Sequence, residues 1–208
     1  MAADNKQRRR RLDGEDSRRR ILEAAGRVAS ERGYDGTSIS LVSKACGLPN
    51  SSIFWHFKDK DDLIASVIES SFADWMSVFT VPEGDTALEQ ILTLCQETAK
   101  SLLEEPDFLR LGLMLALERR PEEPRARAMF MEIRRGAFER FTEVIREFAP
   151  QLSDNSVQLV TKYGVAAADG LFMAGQMDGD RTDLYALFEM HARAVHYTLM
   201  RLIEEETS

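Results

Sequence analysis

Residues 38–56, SISLVSKACGLPNSSIFWH, leave the chain few folding options. Gly47 can adopt the left-handed backbone that ends a helix, and Pro49, two residues later, is tolerated only in the first turn of a new one. The spacing therefore predicts two short helices, 38–45 and 49–56, joined by a tight turn. Helices this short are unstable alone and must pack on a neighbour. Ser43 and Cys46 are small where the two would cross, and Val42, Leu48 and Ile53 supply a little core. That packing leaves Asn50, Ser51, Ser52, Trp55 and His56 on the outer surface of the second helix. Such side chains hydrogen-bond bases and phosphates in a helix-turn-helix, although an ordinary helical hairpin has the same spacing.

The rest of the chain is also helical in pattern, so the expected fold class is all-α. Six prolines, Pro49, Pro82, Pro106, Pro121, Pro124 and Pro150, separate segments rich in Ala, Leu, Met, Glu and Arg, and no β-branched run alternates like a strand. A first helix is predicted at 16–32, with Ile21, Leu22, Ala25, Val28 and Ala29 on one face and Gly33 as its stop. Thr37 stands where the N-cap of the second helix belongs, and Asp59 can cap a fourth helix at 60–80. The broad apolar face of that helix, Ile64, Val67, Ile68, Phe72, Trp75 and Phe79, suits packing on two sides, as for a helix joining two modules. Further helices are expected at 85–104, 106–118, 124–148, 154–177 and 181–205. The domain reading is a disordered basic tail at 1–14, a helix-turn-helix domain at 15–62 with its motif at 38–57, and a helical C-terminal domain at 63–208.

The net charge of -8 conceals a split. Residues 6–60 carry 13 Lys and Arg against 7 Asp and Glu, whereas residues 61–208 carry 14 against 27. A basic end on an acidic body suits either a chain that approaches nucleic acid from one side or a disordered basic tail on an acidic globule. Cys46 and Cys95 form no CxxC pair, which suits a reducing cytoplasm rather than a disulfide or zinc scaffold. No apolar stretch approaches the length of a membrane span or follows the basic cluster as a signal peptide would, so no membrane partner is expected. GxGxxG, GxxxxGK[ST] and GxSxG are absent, so neither an enzyme nor a cofactor is expected. His191 and His196 are five apart and face different ways on a helix, so no metal site is expected either.

Residues 37–63, TSISLVSKACGLPNSSIFWHFKDKDDL, resemble the DNA-binding signature of the TetR (tetracycline-repressor) family of transcriptional regulators, and residues 18–38 are similar to that family's first helix and turn. Later in the chain, Asp169, Gly170 and Leu171 are also similar. The resemblance implies an all-α homodimer whose N-terminal three-helix domain is joined by a long helix to a C-terminal ligand-binding and dimerisation domain. It implies that Thr37 bonds a phosphate and that Asn50, Ser51, Ser52 and Trp55 face bases or backbone. It also implies phosphate contacts for His56 and for Lys60 at the start of helix four, with Phe54 and Phe57 available to fill the core. Three positions depart from the family pattern: Pro49 replaces a capping hydroxyl, Ser51 a glycine and Phe54 a tyrosine. The arginine run 8–11 could enter a minor groove, or it could attract phosphates diffusely from a disordered tail.

In the C-terminal part, methionines and phenylalanines suit either an adaptable apolar pocket or a plain core. Arg110, Met114, Glu118, Phe138, Tyr163, Met173, Met177 and His191 are the candidate effector-pocket residues. Gly164, Ala167, Ala168, Leu171, Ala174 and Gly175 are small or smooth residues at helical spacing. They suit either close helix approach in a dimer or a core helix. The expectation is thus a cytoplasmic, sequence-specific regulator, a repressor released from a palindromic operator on double-stranded DNA by a small-molecule effector. The alternative is a DNA-binding dimer without an effector, constitutive or controlled by a protein partner.

Overall fold

A computed structural model describes residues 2–77, 86–104, 106–119 and 122–208, with 2–12, 74–77 and 180 as backbone alone. The described residues form helices α1 (Ala2–Gly36), α2 (Ile39–Cys46), α3 (Asn50–His56), α4 (Lys60–Ser77), α5 (Ala87–Glu104), α6 (Asp107–Leu117), α7 (Arg125–Phe148), α8 (Asp154–Asp178) and α9 (Leu184–Thr207). A single 3-10 turn, Gly179–Arg181, precedes α9. No strand occurs among the described residues.

Local chemistry explains most boundaries. Gly33, at φ 71° and ψ 175°, breaks α1 where the sequence predicts its stop. Gly47, at φ 70° and ψ 20°, ends α2, and its N–H donates to the Ser43 carbonyl at 3.0 Å. Ser153 and Asp183 cap α8 and α9 by accepting the N–H groups of Ser156 and Ala186. Thr86 and Glu89 accept each other's N–H groups at the start of α5. The larger difference from expectation is at the N-terminus. The stretch 1–14, read as a disordered tail, lies from Ala2 onward within the span of α1, whose Arg, Lys, Gln and Glu residues are strong helix formers. The side chains of the arginine run 8–11 lie outside the described residues.

The chain divides into two compact units that interleave in sequence. The first unit comprises Met1–Asp74 and Pro106–Ile133, so α6 and the start of α7 pack with α1–α4 rather than with the remainder of residues 63–208. Its core joins Ile21, Ala25, Val42, Ile53, Phe57, Leu63, Ile64 and Ile68 to Phe108, Leu111, Leu115 and Phe130. Gly112 makes this packing possible: a Cβ there would stand 2.0 Å from the Phe130 ring. The rings of Phe72, Phe108 and Phe130 follow one another at 5.9 Å centroid spacing.

The second unit comprises Trp75–Glu105 and Arg134–Ser208. Here α9 packs against α5 and α8, burying Ile91, Cys95, Leu102, Val157, Val160, Phe172, Phe188, Val195 and Leu199. Arg134 grips Asp169 with both guanidinium nitrogens, tying α7 to α8 at the Asp169 that the resemblance singled out. Glu206, near the chain end, accepts from Ser153 and Ser156 and so reinforces the start of α8.

Candidate nucleic-acid interface

The α2–turn–α3 segment is built from local caps and held from outside by α1. Ser38 accepts the Leu41 N–H at 3.3 Å as the N-cap of α2. At the other end, Ser43 Oγ donates to the Leu48 carbonyl at 2.6 Å across the turn. Arg20, on α1, donates to the Cys46 carbonyl at 2.9 Å, satisfying the end of α2 from the neighbouring helix. Val42, Cys46 and Ile53 are buried beneath the turn. Pro49 precedes α3 at φ -66° with no side-chain cap, consistent with the missing hydroxyl at that position.

This packing decides which side chains of α3 reach solvent. Asn50, Ser51 and Trp55 are exposed, while Ser52 and His56 are half-buried. Trp55 is 75% exposed, stands edge-on to His56 at 4.5 Å, and lies with its six-membered ring beside Gly14 of α1. His56 is held below its ordinary pKa of 6.5, first by burial and then by the charge of Arg18. Phe57 is core, as expected, at 2% exposure.

Three assignments change. Thr37 is 2% exposed and its hydroxyl donates to the Gly33 carbonyl at 2.8 Å, so it closes the α1–α2 turn rather than standing out at the surface. The exposed capping hydroxyl at this helix start belongs to Ser38, one residue on. Lys60 is drawn inward: its Nζ donates to the Tyr34 carbonyl at 3.0 Å and lies 4.3 Å from the Tyr34 ring centroid. The start of α4 is furnished with carboxylates instead, since Asp59 accepts the Asp62 N–H and Asp62 accepts the Lys58 N–H. Phe54, expected to fill core, is 55% exposed on the outer face of α3. Ser38, Arg18 and Arg20 join the expected residues here; the Ser38–Ile39 junction is a cap signal legible in the sequence, whereas the roles of the two arginines depend on how α1 crosses the motif.

The remaining candidates are placed as follows. Arg110, Met114 and Glu118 belong to the first unit, and Phe138, Tyr163, Met173, Met177 and His191 to the second. Among them, Tyr163 and His191 come together with ring centroids 6.2 Å apart. Met114, Glu118, Tyr163, Met173 and Met177 are exposed rather than enclosed. The small-residue set on α8 turns partly toward α9 of the same chain. His191 donates to the Gly164 carbonyl, and a Cβ on Gly175 would meet Leu184 at 3.6 Å. Gly164, Ala167, Ala168, Leu171, Ala174 and Gly175 are all half-buried. The outward stripe of α8 is instead Leu159, Tyr163, Ala166, Gly170, Met173 and Met177, and α9 adds Met190, Tyr197 and Met200. Among the described residues no cluster of His, Cys, Asp and Glu is arranged to hold a metal, and no helix is long and apolar enough to cross a membrane.

Residues 21–67 match the family described as bacterial regulatory proteins, tetR family. The chain is 38% identical over 64 residues to the HTH-type transcriptional regulator AcrR of Shigella flexneri, covering 31% of this chain and 30% of that protein. It is 33% identical over 118 residues to the HTH-type transcriptional regulator LmrA of Bacillus subtilis, covering 52% of this chain and 61% of that one. The chain thus spans about a third to three fifths of these relatives' length. The fold extends further: the transcriptional regulator FadR from Bacillus subtilis, solved in complex with stearoyl-CoA, superposes with a TM-score of 0.72 over 85% of this chain and 96% of that one, at 20% identity.

Proposed function

We propose, from the premise that residues 21–67 belong to the tetR family of bacterial regulatory proteins, that this chain is a sequence-specific DNA-binding transcriptional regulator. The observation that carries the reading is the outer face of α3, where Asn50, Ser51, Phe54 and Trp55 are exposed beside the capped start of α2. A helix so displayed fits the major groove, with Asn50 and Ser51 as hydrogen-bonding groups at its leading end and the two rings as apolar contacts for thymine methyl groups.

One such helix makes few contacts, so the operating species is a two-fold dimer that reads a palindromic operator. The exposed apolar stripe of α8 with Met190, Tyr197 and Met200 of α9 supports dimerisation through these helices. The C-terminal helices take an apolar or amphipathic small molecule, and binding releases the operator. The effector acts through its differential affinity for the two arrangements, commonly ~1–3 kcal/mol of coupling. Stearoyl-CoA, bound by a neighbour in fold, is the first compound to screen.

The test is selection of bound DNA from a random pool, followed by light scattering and a compound screen for release. A recovered palindrome bound by a dimer is the expected result. Recovery of no preferred sequence would overturn the reading. A palindrome that no compound releases would leave a DNA-binding dimer under constitutive or protein control.

A further inference from the structure

Three consecutive arginines on α1, Arg18, Arg19 and Arg20, meet different fates. Arg19 is neutralised by Asp16 at 2.6 Å and Glu23 at 2.8 Å. Arg20 is engaged with the Cys46 carbonyl. Arg18 has no carboxylate partner among the described residues; its guanidinium carbon lies 5.4 Å from the centroid of the Phe57 ring. That ring is buried, and its neighbour His56 stands at 6.0 Å between centroids. Among the described residues Arg18 is therefore an exposed cation without a carboxylate partner, held at the C-terminal end of α3, the helix proposed to read DNA.

We infer that Arg18 binds a DNA phosphate flanking the recognition helix, beside His56. The inference rests on the proposed DNA-binding function and adds a residue to its interface. A guanidinium placed over a ring as a cation–π contact keeps N–H donors to grip an oxyanion. The Phe57 ring also restricts where the group can point, so less side-chain freedom is lost on binding. Because Arg18 comes from α1, at the side of the reading helix, it fixes position on the duplex and carries no base information.

The experiment measures affinity for the selected operator over a range of salt concentrations in the full-length protein. Arg18→Met keeps an aliphatic chain over Phe57 and removes the charge. It is expected to lower the slope of log affinity against log salt by about 0.9, the share of one phosphate contact. Weakening should be similar for operator and random DNA, on the order of tenfold for a lost charge-assisted contact. Arg18→Lys should keep the slope, and Arg19→Gln should leave it unchanged. If Arg18→Met melts below the assay temperature, Arg18→Gln is measured in its place. An unchanged slope shows that Arg18 only covers Phe57 and overturns the inference, as does an altered base preference at one operator position. Failure of the wild-type chain to select any site sinks the underlying functional reading instead.

Discussion

The carboxylate of Asp61 caps the start of α7 through Ala126, whose N–H it accepts at 3.1 Å. The second Asp61 oxygen accepts the Arg125 N–H at 2.7 Å, and the Arg125 side chain donates to Asp62 at 2.6 Å. Asp61 also accepts the Tyr34 hydroxyl at 3.0 Å, while Lys60 holds the Tyr34 carbonyl. One pair of adjacent aspartates thus links the α1–α2 turn, the first turn of α4 and the first turn of α7. A movement of α7 cannot leave the helix-turn-helix unaffected without breaking these bonds.

Asp61→Ala leaves two helix N–H groups and the Tyr34 hydroxyl without their acceptor. Loss of such a cap costs about 1–2 kcal/mol. Urea unfolding should show a lower midpoint at unchanged slope, and a midpoint equal to wild type would contradict the capping role.

Gly112 and Gly136 should respond to alanine with opposite signs. A Cβ at Gly112 would overlap the Phe130 ring, which is buried and has little room to move, so Gly112→Ala should cost roughly 1–3 kcal/mol. Nothing stands within 4 Å of a Cβ at Gly136, inside α7. Gly136→Ala should therefore stabilise by about 0.5–1 kcal/mol from helix propensity. Paired thermal melts decide this, and shifts of the same sign would count against the packing described.

Thr37 and Ser38 separate folding from binding. Thr37→Val removes a buried hydroxyl from the Gly33 carbonyl and should cost about 1 kcal/mol of stability without changing the salt slope of DNA binding. Ser38→Ala removes an exposed cap and should weaken operator binding as well as α2. Anisotropy titration beside chemical unfolding distinguishes the two, and a Thr37→Val variant with a reduced salt slope would restore the phosphate role.

His191 sets a pH dependence. Burial holds its pKa below the ordinary 6.5, against the opposing bond to the Gly164 carbonyl. The unfolded chain therefore takes up a proton first as pH falls. The His191 contribution is fully present above 6.5 and is lost as pH drops through its lower folded value. His191→Asn should accordingly lose less stability than wild type between pH 7 and acid conditions. Parallel pH–stability curves for the two proteins would exclude this assignment.

What was readable in the sequence lies mostly within one helical turn. Gly33, Gly47, Pro49 and Asp59 mark helix ends because a cap or a backbone restriction acts over two to four residues, and the all-α class follows from the helix-favouring segments between such stops. The outward order of Asn50, Ser51 and Trp55 follows from the period of one short helix against a buried Ile53. Even the choice between Thr37 and Ser38 was nearly local, yet it turned on a bond to the Gly33 carbonyl, which depends on the path of the preceding turn.

Tertiary structure alone decided the rest. Lys60 meets Tyr34 across 26 positions and Asp61 meets Ala126 across 65, and neither pairing leaves a periodic trace in the chain. Composition likewise could not assign α6 and the first turns of α7 to the unit that holds the helix-turn-helix, because an apolar face does not specify its partner. The sequence by itself determined most helix ends, though not the start of α1, and that one short helix displays DNA-compatible side chains. That Arg18 lies over the Phe57 ring and that Arg20 reaches the Cys46 carbonyl followed only from the crossing of α1 over the motif, because such contacts depend on distance in space, whereas Arg19 pairs with Asp16 and Glu23 at helical spacing inside α1.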